Sequence, residues 1–155
     1  MKDTQEVQAA LKEAIQTEKA AMDFYKYGAE KMGDSRAREV FELLAREERH
    51  HAQMFYNAYQ GRDLPYFEDY IVSPPDTESK WWKALQEASL TDFDERKALE
   101  LALDQEEALE EKLRQIAASV EDPEIRAIYE ANARSTHHHA ELIEEQYREM
   151  LGMSS

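Results

Sequence analysis

The chain has 155 residues, 42% of them hydrophobic, with four glycines, four prolines and no cysteine. That length suits one folded domain with a core, and the missing cysteines exclude disulfides, thiol catalysis, iron–sulfur clusters and thiolate-held zinc or haem. A formal net charge of −15 repels a nucleic acid duplex or an anionic membrane, so neither is an expected partner.

Abundant Ala, Leu, Glu, Lys, Gln and Arg, with few β-branched residues, predict an all-α protein. The stretch Met1 to Gln8 is polar and lacks the apolar run of a signal peptide. No segment reaches the roughly 18 apolar residues of a membrane span, and a cytoplasmic protein is expected. The first predicted helix, about 4–32, starts behind Asp3, which with Glu6 has capping-box spacing. Val7, Ala10, Ala14, Ala21, Tyr25 and Met32 mark its apolar face. Gly33 and Asp34 close it and open a second helix, about 35–60, with Val40, Phe41, Leu44 and Phe55 inward. Residues 61–91 hold Pro65, Pro74, Pro75, Trp81 and Trp82 and read as an irregular link with one short helix near Glu78 to Ala88. Such a long link lets a second helical hairpin run back along the first. The third helix, about 92–120, carries Ala98, Ala102, Leu109, Leu113 and Ile116 on one face. Asp122-Pro123 is an N-cap with an N1 proline, and opens a fourth helix, about 123–151. The expected architecture is a single-domain four-helix bundle of two hairpins.

An internal repeat organises the chain. A shift of 88 residues lays the first two helices on the last two without a gap: Ala10 on Ala98, Glu18 on Glu106, Asp34 on Asp122 and Arg38 on Arg126. In the same frame His50-His51-Ala52 falls on His138-His139-Ala140.

The repeat singles out a set of metal-ligand types. Glu48 and His51 are three apart and share a helix face, so both can grip one ion. Glu18 is in phase with Ala14, Ala21 and Tyr25, and Glu106 lies between Ala102 and Leu109, so both carboxylates point inward. A buried carboxylate is costly alone, and a metal compensates several together. One Glu on each of two helices plus Glu-x-x-His on the other two is the pattern of di-iron carboxylate bundles. The fourth helix departs from it: Thr136 stands opposite Glu48, while His139 keeps the place of His51. Either Glu48 bridges two ions alone, with water or hydroxide completing the pair, or one ion binds well. With only His, Glu and Asp as ligands, the candidate metals are iron, manganese and zinc.

The runs Glu18-Lys19-Ala20-Ala21-Met22-Asp23-Phe24-Tyr25 and Phe41-Glu42-Leu43-Leu44-Ala45-Arg46-Glu47-Glu48-Arg49-His50-His51-Ala52 resemble the rubrerythrin-like branch of the ferritin-like di-iron carboxylate superfamily. The resemblance covers almost the whole chain and is tightest in the first half. It implies a ferritin-like bundle, a non-haem iron centre that reduces hydrogen peroxide or handles oxygen, and ligand positions at Glu18, Glu48, His51, Glu106 and His139. Classical rubrerythrins add a cysteine-ligated rubredoxin domain. The chain has no cysteine, so an external electron donor is expected, and a homodimer with it. Tyr25, seven residues after Glu18, is a candidate for a hydrogen-bonding or electron-relay role beside the metal. His50 and His138 are turned about 100° from their neighbours and read as supporting or interface residues, and Trp81 and Trp82 as packing for the link. The competing function is a non-catalytic metal-binding or interaction bundle, and Thr136 is the feature in its favour.

Overall fold

The computed structural model describes residues 3–152, and among these there are six helices and no strand. They are α1 (Thr4–Lys31), α2 (Ser35–Ala58), α3 (Phe67–Ile71), α4 (Lys80–Ala88), α5 (Glu95–Ser119) and α6 (Pro123–Met150). Helix α1 packs along α2 and α5 along α6; α2 meets α6, and α4 lies against both α1 and α5. This is the ferritin-like helical bundle that the sequence pattern predicts.

Each long helix begins at an aspartate whose carboxylate takes up free amide protons of the first turn. Asp3 accepts from Gln5 N, Asp34 from Ala37 N, Asp94 from Lys97 N, and Asp122 from Glu124 N and Ile125 N. The two interhelical turns are also closed alike. Arg38 Nε donates to the Met32 carbonyl at 3.2 Å, and Arg126 Nε donates to the Val120 carbonyl at 2.9 Å. In both, an arginine from the second helix satisfies a carbonyl at the end of the first.

The structure corrects the sequence reading in two places. Helix α5 starts at Glu95, not at 92, because Asp94 supplies the cap and its own amide is tied to the Ala88 carbonyl at 2.8 Å. The link carries two short helices, not one. The unforeseen α3 is a five-residue turn that buries Phe67 and Ile71 against Met22 and Ala52, so tertiary packing holds what no periodic pattern announces.

Two apolar clusters fill the bundle. One gathers Phe24, Tyr25, Phe41, Leu44, Trp81, Leu85, Leu99 and Ile143; the other gathers Leu11, Ile15, Phe55, Leu113, Tyr129 and Ala133. Gly28 lets α1 approach α2 closely in the first: a Cβ there would lie 2.8 Å from Phe41 Cε2. Glu18, Glu48, His51, Glu106, Thr136 and His139 belong to neither cluster and are all buried. No described helix is long and apolar enough to cross a membrane.

Candidate metal centre

The helix phases place five groups, two from α2 and one from each of the other long helices, in the same interior layer. Glu18 comes from α1, Glu48 and His51 from α2, Glu106 from α5, and His139 from α6. The three carboxylates are 0% exposed, His51 is 4% exposed and His139 is 1% exposed. Glu48 is the middle of the arrangement. Its Oε1 lies 3.4 Å from His51 Nδ1 and 2.9 Å from His139 Nδ1. Each histidine also has a carboxylate of its own: His51 Nδ1 is 3.5 Å from Glu18 Oε2, and His139 Nδ1 is 3.6 Å from Glu106 Oε2. The imidazole rings stack with centroids 5.3 Å apart and planes 11° apart, so both Nδ1 atoms face the same carboxylate.

A metal fits this donor set. Glu18 Oε1 and Oε2, Glu48 Oε1 and Oε2, Glu106 Oε2, His51 Nδ1 and His139 Nδ1 are buried without a hydrogen-bond partner. Buried polar atoms are ordinarily paired, and an orphaned carboxylate costs most of all. One ligand atom each from Glu48, His51 and His139 lie within 4.8 Å of one another, near the separation allowed by two bonds of about 2.0–2.2 Å to one ion. Imidazole nitrogen with carboxylate oxygen suits iron, manganese or zinc.

The electrostatics describe a cage in which protons stand in for a cation. Burial, and then the charge of Glu48, push Glu18 well above the ordinary carboxyl range. The same two causes take Glu106 up to about 7. Burial also works against ionising Glu48, but the imidazoles of His139 and His51 beside it outweigh burial and hold its carboxyl below the usual range. For the histidines burial opposes charge, yet Glu18 and Glu48 push His51 up to about 10, and Glu106 and Glu48 push His139 up to about 11. Two cationic imidazoles thus flank one firmly ionised carboxylate.

Three further side chains complete the surroundings. Tyr25 Oη donates to Glu106 Oε1 at 2.9 Å, leaving Oε2 toward the cage, and burial holds its phenol well above the ordinary value. Glu47 and Ser135, which the sequence reading did not include, act on the outer nitrogens of the histidines. Glu47 Oε1 lies 2.6 Å from His139 Nε2, and Ser135 Oγ lies 2.8 Å from His51 Nε2. A partner on Nε2 fixes the ring and leaves Nδ1 for an ion, as in carboxylate–histidine–metal triads. They hold matched places in the 88-residue repeat, each one residue before Glu48 or Thr136 on its own helix, and each reaches the histidine of the other hairpin.

Thr136 is 0% exposed and its hydroxyl donates to the Asn132 carbonyl one turn back, at 2.7 Å. His50 and His138 are exposed, outside the layer. Trp81 packs at 5.2 Å from Phe24 and 5.5 Å from Tyr25.

A family model described as Rubrerythrin matches residues 9–147. No curated protein and no solved structure matches the chain. With a match that spans nearly the whole bundle and includes every residue of the cage, the chain belongs to the rubrerythrin family.

Proposed function

We propose that the cage binds iron and that the protein reduces peroxide there, taking electrons from an external donor. The observation that carries this reading is the sealed set of orphaned carboxylate and imidazole atoms, in a chain of the rubrerythrin family. Iron is the metal the family resemblance implies, and when bound it supplies the electrons that break the O–O bond. Glu48, His51 and His139 hold the ion. Glu18 and Glu106 stand beside it and balance its charge, and the apolar clusters on either side keep bulk water out. Each peroxide that becomes two waters also needs two protons. The side chain of Glu47 is 40% exposed and bonded to His139, which gives the cage a carboxylate in contact with solvent.

A single strongly bound ion is the favoured stoichiometry, since Thr136 stands where a second bridging carboxylate would be. A second reading, two ions, is favoured by the pairing of Glu18 with His51 and of Glu106 with His139 on either side of Glu48. Anaerobic loading with ferrous iron, followed by titration with hydrogen peroxide, tests the proposal. Stoichiometric iron, oxidised by peroxide far faster than by a buffer control, supports it. Bound iron that peroxide leaves ferrous favours the non-catalytic bundle, and no bound iron sinks both metal readings.

A further inference from the structure

Trp81 and Trp82 have no part in the cage, yet they join it to the surface. Tyr25 Oη is hydrogen-bonded to Glu106 at 2.9 Å, and its ring centroid lies 5.5 Å from that of Trp81, which is 3% exposed. Trp82 follows in the chain, turned about 100° round α4, and is half-buried. Its ring meets the half-buried Tyr27 edge-on, with centroids 5.3 Å apart. Four oxidisable side chains therefore lead from a carboxylate of the cage to the outside of the bundle, with rings in contact at Tyr25–Trp81 and Trp82–Tyr27 and one peptide unit joining Trp81 to Trp82. The other rings packed on Tyr25, those of Phe24 at 5.2 Å and Phe41 at 5.0 Å, are far harder to oxidise, so the line has a single course. Electron tunnelling falls exponentially with distance, and rings in contact exchange electrons faster than separated ones.

The electron count gives this line a task. Reducing a peroxide takes two electrons, and one ferrous ion going to ferric gives one. We propose that Tyr25 gives the other and that Trp81, Trp82 and Tyr27 refill it from a one-electron reductant at the surface, an inference that rests on the peroxide reading above. In the balanced step a ferrous ion, the Tyr25 phenol, the Glu106 carboxylate, hydrogen peroxide and two protons from solvent become a ferric ion, the Tyr25 phenoxyl radical, protonated Glu106 and two waters. The O–O bond breaks, and the phenol proton leaves along the hydrogen bond to Glu106 Oε1. Refilling reverses that transfer: an electron passes inward from Tyr27 through Trp82 and Trp81, and the proton returns from Glu106.

The chain has no cysteine, so Gln86→Cys offers one attachment point for a ruthenium polypyridyl photo-oxidant. Gln86 is exposed on α4, four residues from Trp82 and so on its face. The labelled chain also carries Tyr27→Phe, so that a surface tyrosine beside Trp82 does not contribute. In the iron-free protein a flash then produces a tryptophan radical that decays as a tyrosyl radical grows in. Adding Trp81→Phe loses the tyrosyl signal. Tyr25→Phe, which removes one hydroxyl and keeps every ring contact, loses it too, and a signal that survives Tyr25→Phe overturns the proposal however Trp81→Phe folds. Absence of any tyrosyl radical in the labelled chain, or its persistence with Trp81→Phe folded, overturns it as well. Loading one ferrous ion per chain shortens the radical's lifetime, because the ion fills the hole. A chain that binds iron with the lifetime unchanged defeats this proposal alone; one that binds no iron in a separate titration defeats the peroxide reading and this proposal with it.

Discussion

The α1–α2 and α5–α6 hairpins share a frame but not a chemistry. Their turns are closed by the same devices, Asp34 and Asp122 as caps and Arg38 and Arg126 on the carbonyls of Met32 and Val120. Their inner faces differ at the positions that matter to an ion. Glu48 is matched by Thr136, Glu47 by Ser135, and Tyr25 by Leu113. The turn is a backbone problem with few side-chain solutions, so both hairpins solve it alike. The cage is shared, and a central carboxylate from one hairpin already reaches both histidines. A second one would add charge to a space that holds three buried carboxylates. The asymmetry places three of the five ionisable groups of the cage on α1 and α2 and leaves α5 and α6 to contribute one carboxylate and one imidazole.

Exchanging roles at the matched positions breaks or sharpens this comparison. The largest effect is expected at the centre. Glu48→Gln removes the charge that both imidazoles face and should abolish stoichiometric iron or manganese binding. Thr136→Val, at the same place in the repeat, keeps the shape and loses only a hydroxyl bonded to its own helix, and should leave affinity unchanged within roughly twofold, far below the loss of a ligand. Isothermal titration of the two variants measures the difference; equal losses would mean that the hairpins contribute symmetrically after all.

One step outward, the contrast is Glu47 against Ser135. Glu47→Gln keeps an acceptor on His139 Nε2 but removes its charge, and should weaken metal binding by about 10- to 100-fold. Ser135→Ala takes only a neutral hydroxyl from His51 and should cost less, because charge-assisted hydrogen bonds are about twice as strong as neutral ones. If Ser135→Ala proves the more damaging, then His51 is the more tightly positioned imidazole and the order of the two half-sites is reversed.

How far these differences could be read from the sequence depended on whether the signal was periodic. Glu18, Glu48, His51, Glu106 and His139 were legible because each repeats the inward phase of its helix and the 88-residue frame pairs four of them. Glu47 and Ser135 were not, because they sit one residue, and so about 100°, off that phase. What brings them to the site is the approach of α2 to α6, which no single-helix pattern contains. The five residues of α3 are too few for a period, and their burial against Met22 and Ala52 is equally a property of the assembled fold. Trp81 read as link packing. Its contact with Tyr25 depends on where α4 docks, and no local pattern of the link specifies that.

Restoring the carboxylate tests the repeat directly. Thr136→Glu places a fourth glutamate in a layer whose existing carboxyls are already pushed up by burial and by Glu48. In chelator the variant should melt below the wild type. With ferrous or manganous ion the repulsion becomes coordination, so the metal-dependent rise in Tm should exceed that of the wild type. An unchanged rise would show that residue 136 does not reach an ion.

The smallest expected effect is a slope in pH, and it separates the two histidine-bearing halves from Glu106. His51 and His139 have folded values of about 10 and 11 against 6.5 when free. The stability they lend the metal-free fold is fully present below about pH 6.5, declines as pH rises above that value and is gone above about 10 to 11. Glu106 is also raised, to about 7 from 4.5. The native state therefore binds its proton more tightly than the unfolded chain, and stability falls as pH climbs from about 4.5 to 7. In chelator, Tm should decline across that lower window, and Glu106→Gln, which cannot ionise, should flatten the decline. An ion competes with protons for Glu106 and for both histidines, so the metal-dependent gain in Tm should grow with pH over the same range. A gain that stays constant from about pH 5 to 8 would mean that the ion binds without displacing these protons, and the cage would then lie elsewhere than among Glu48, His51, Glu106 and His139.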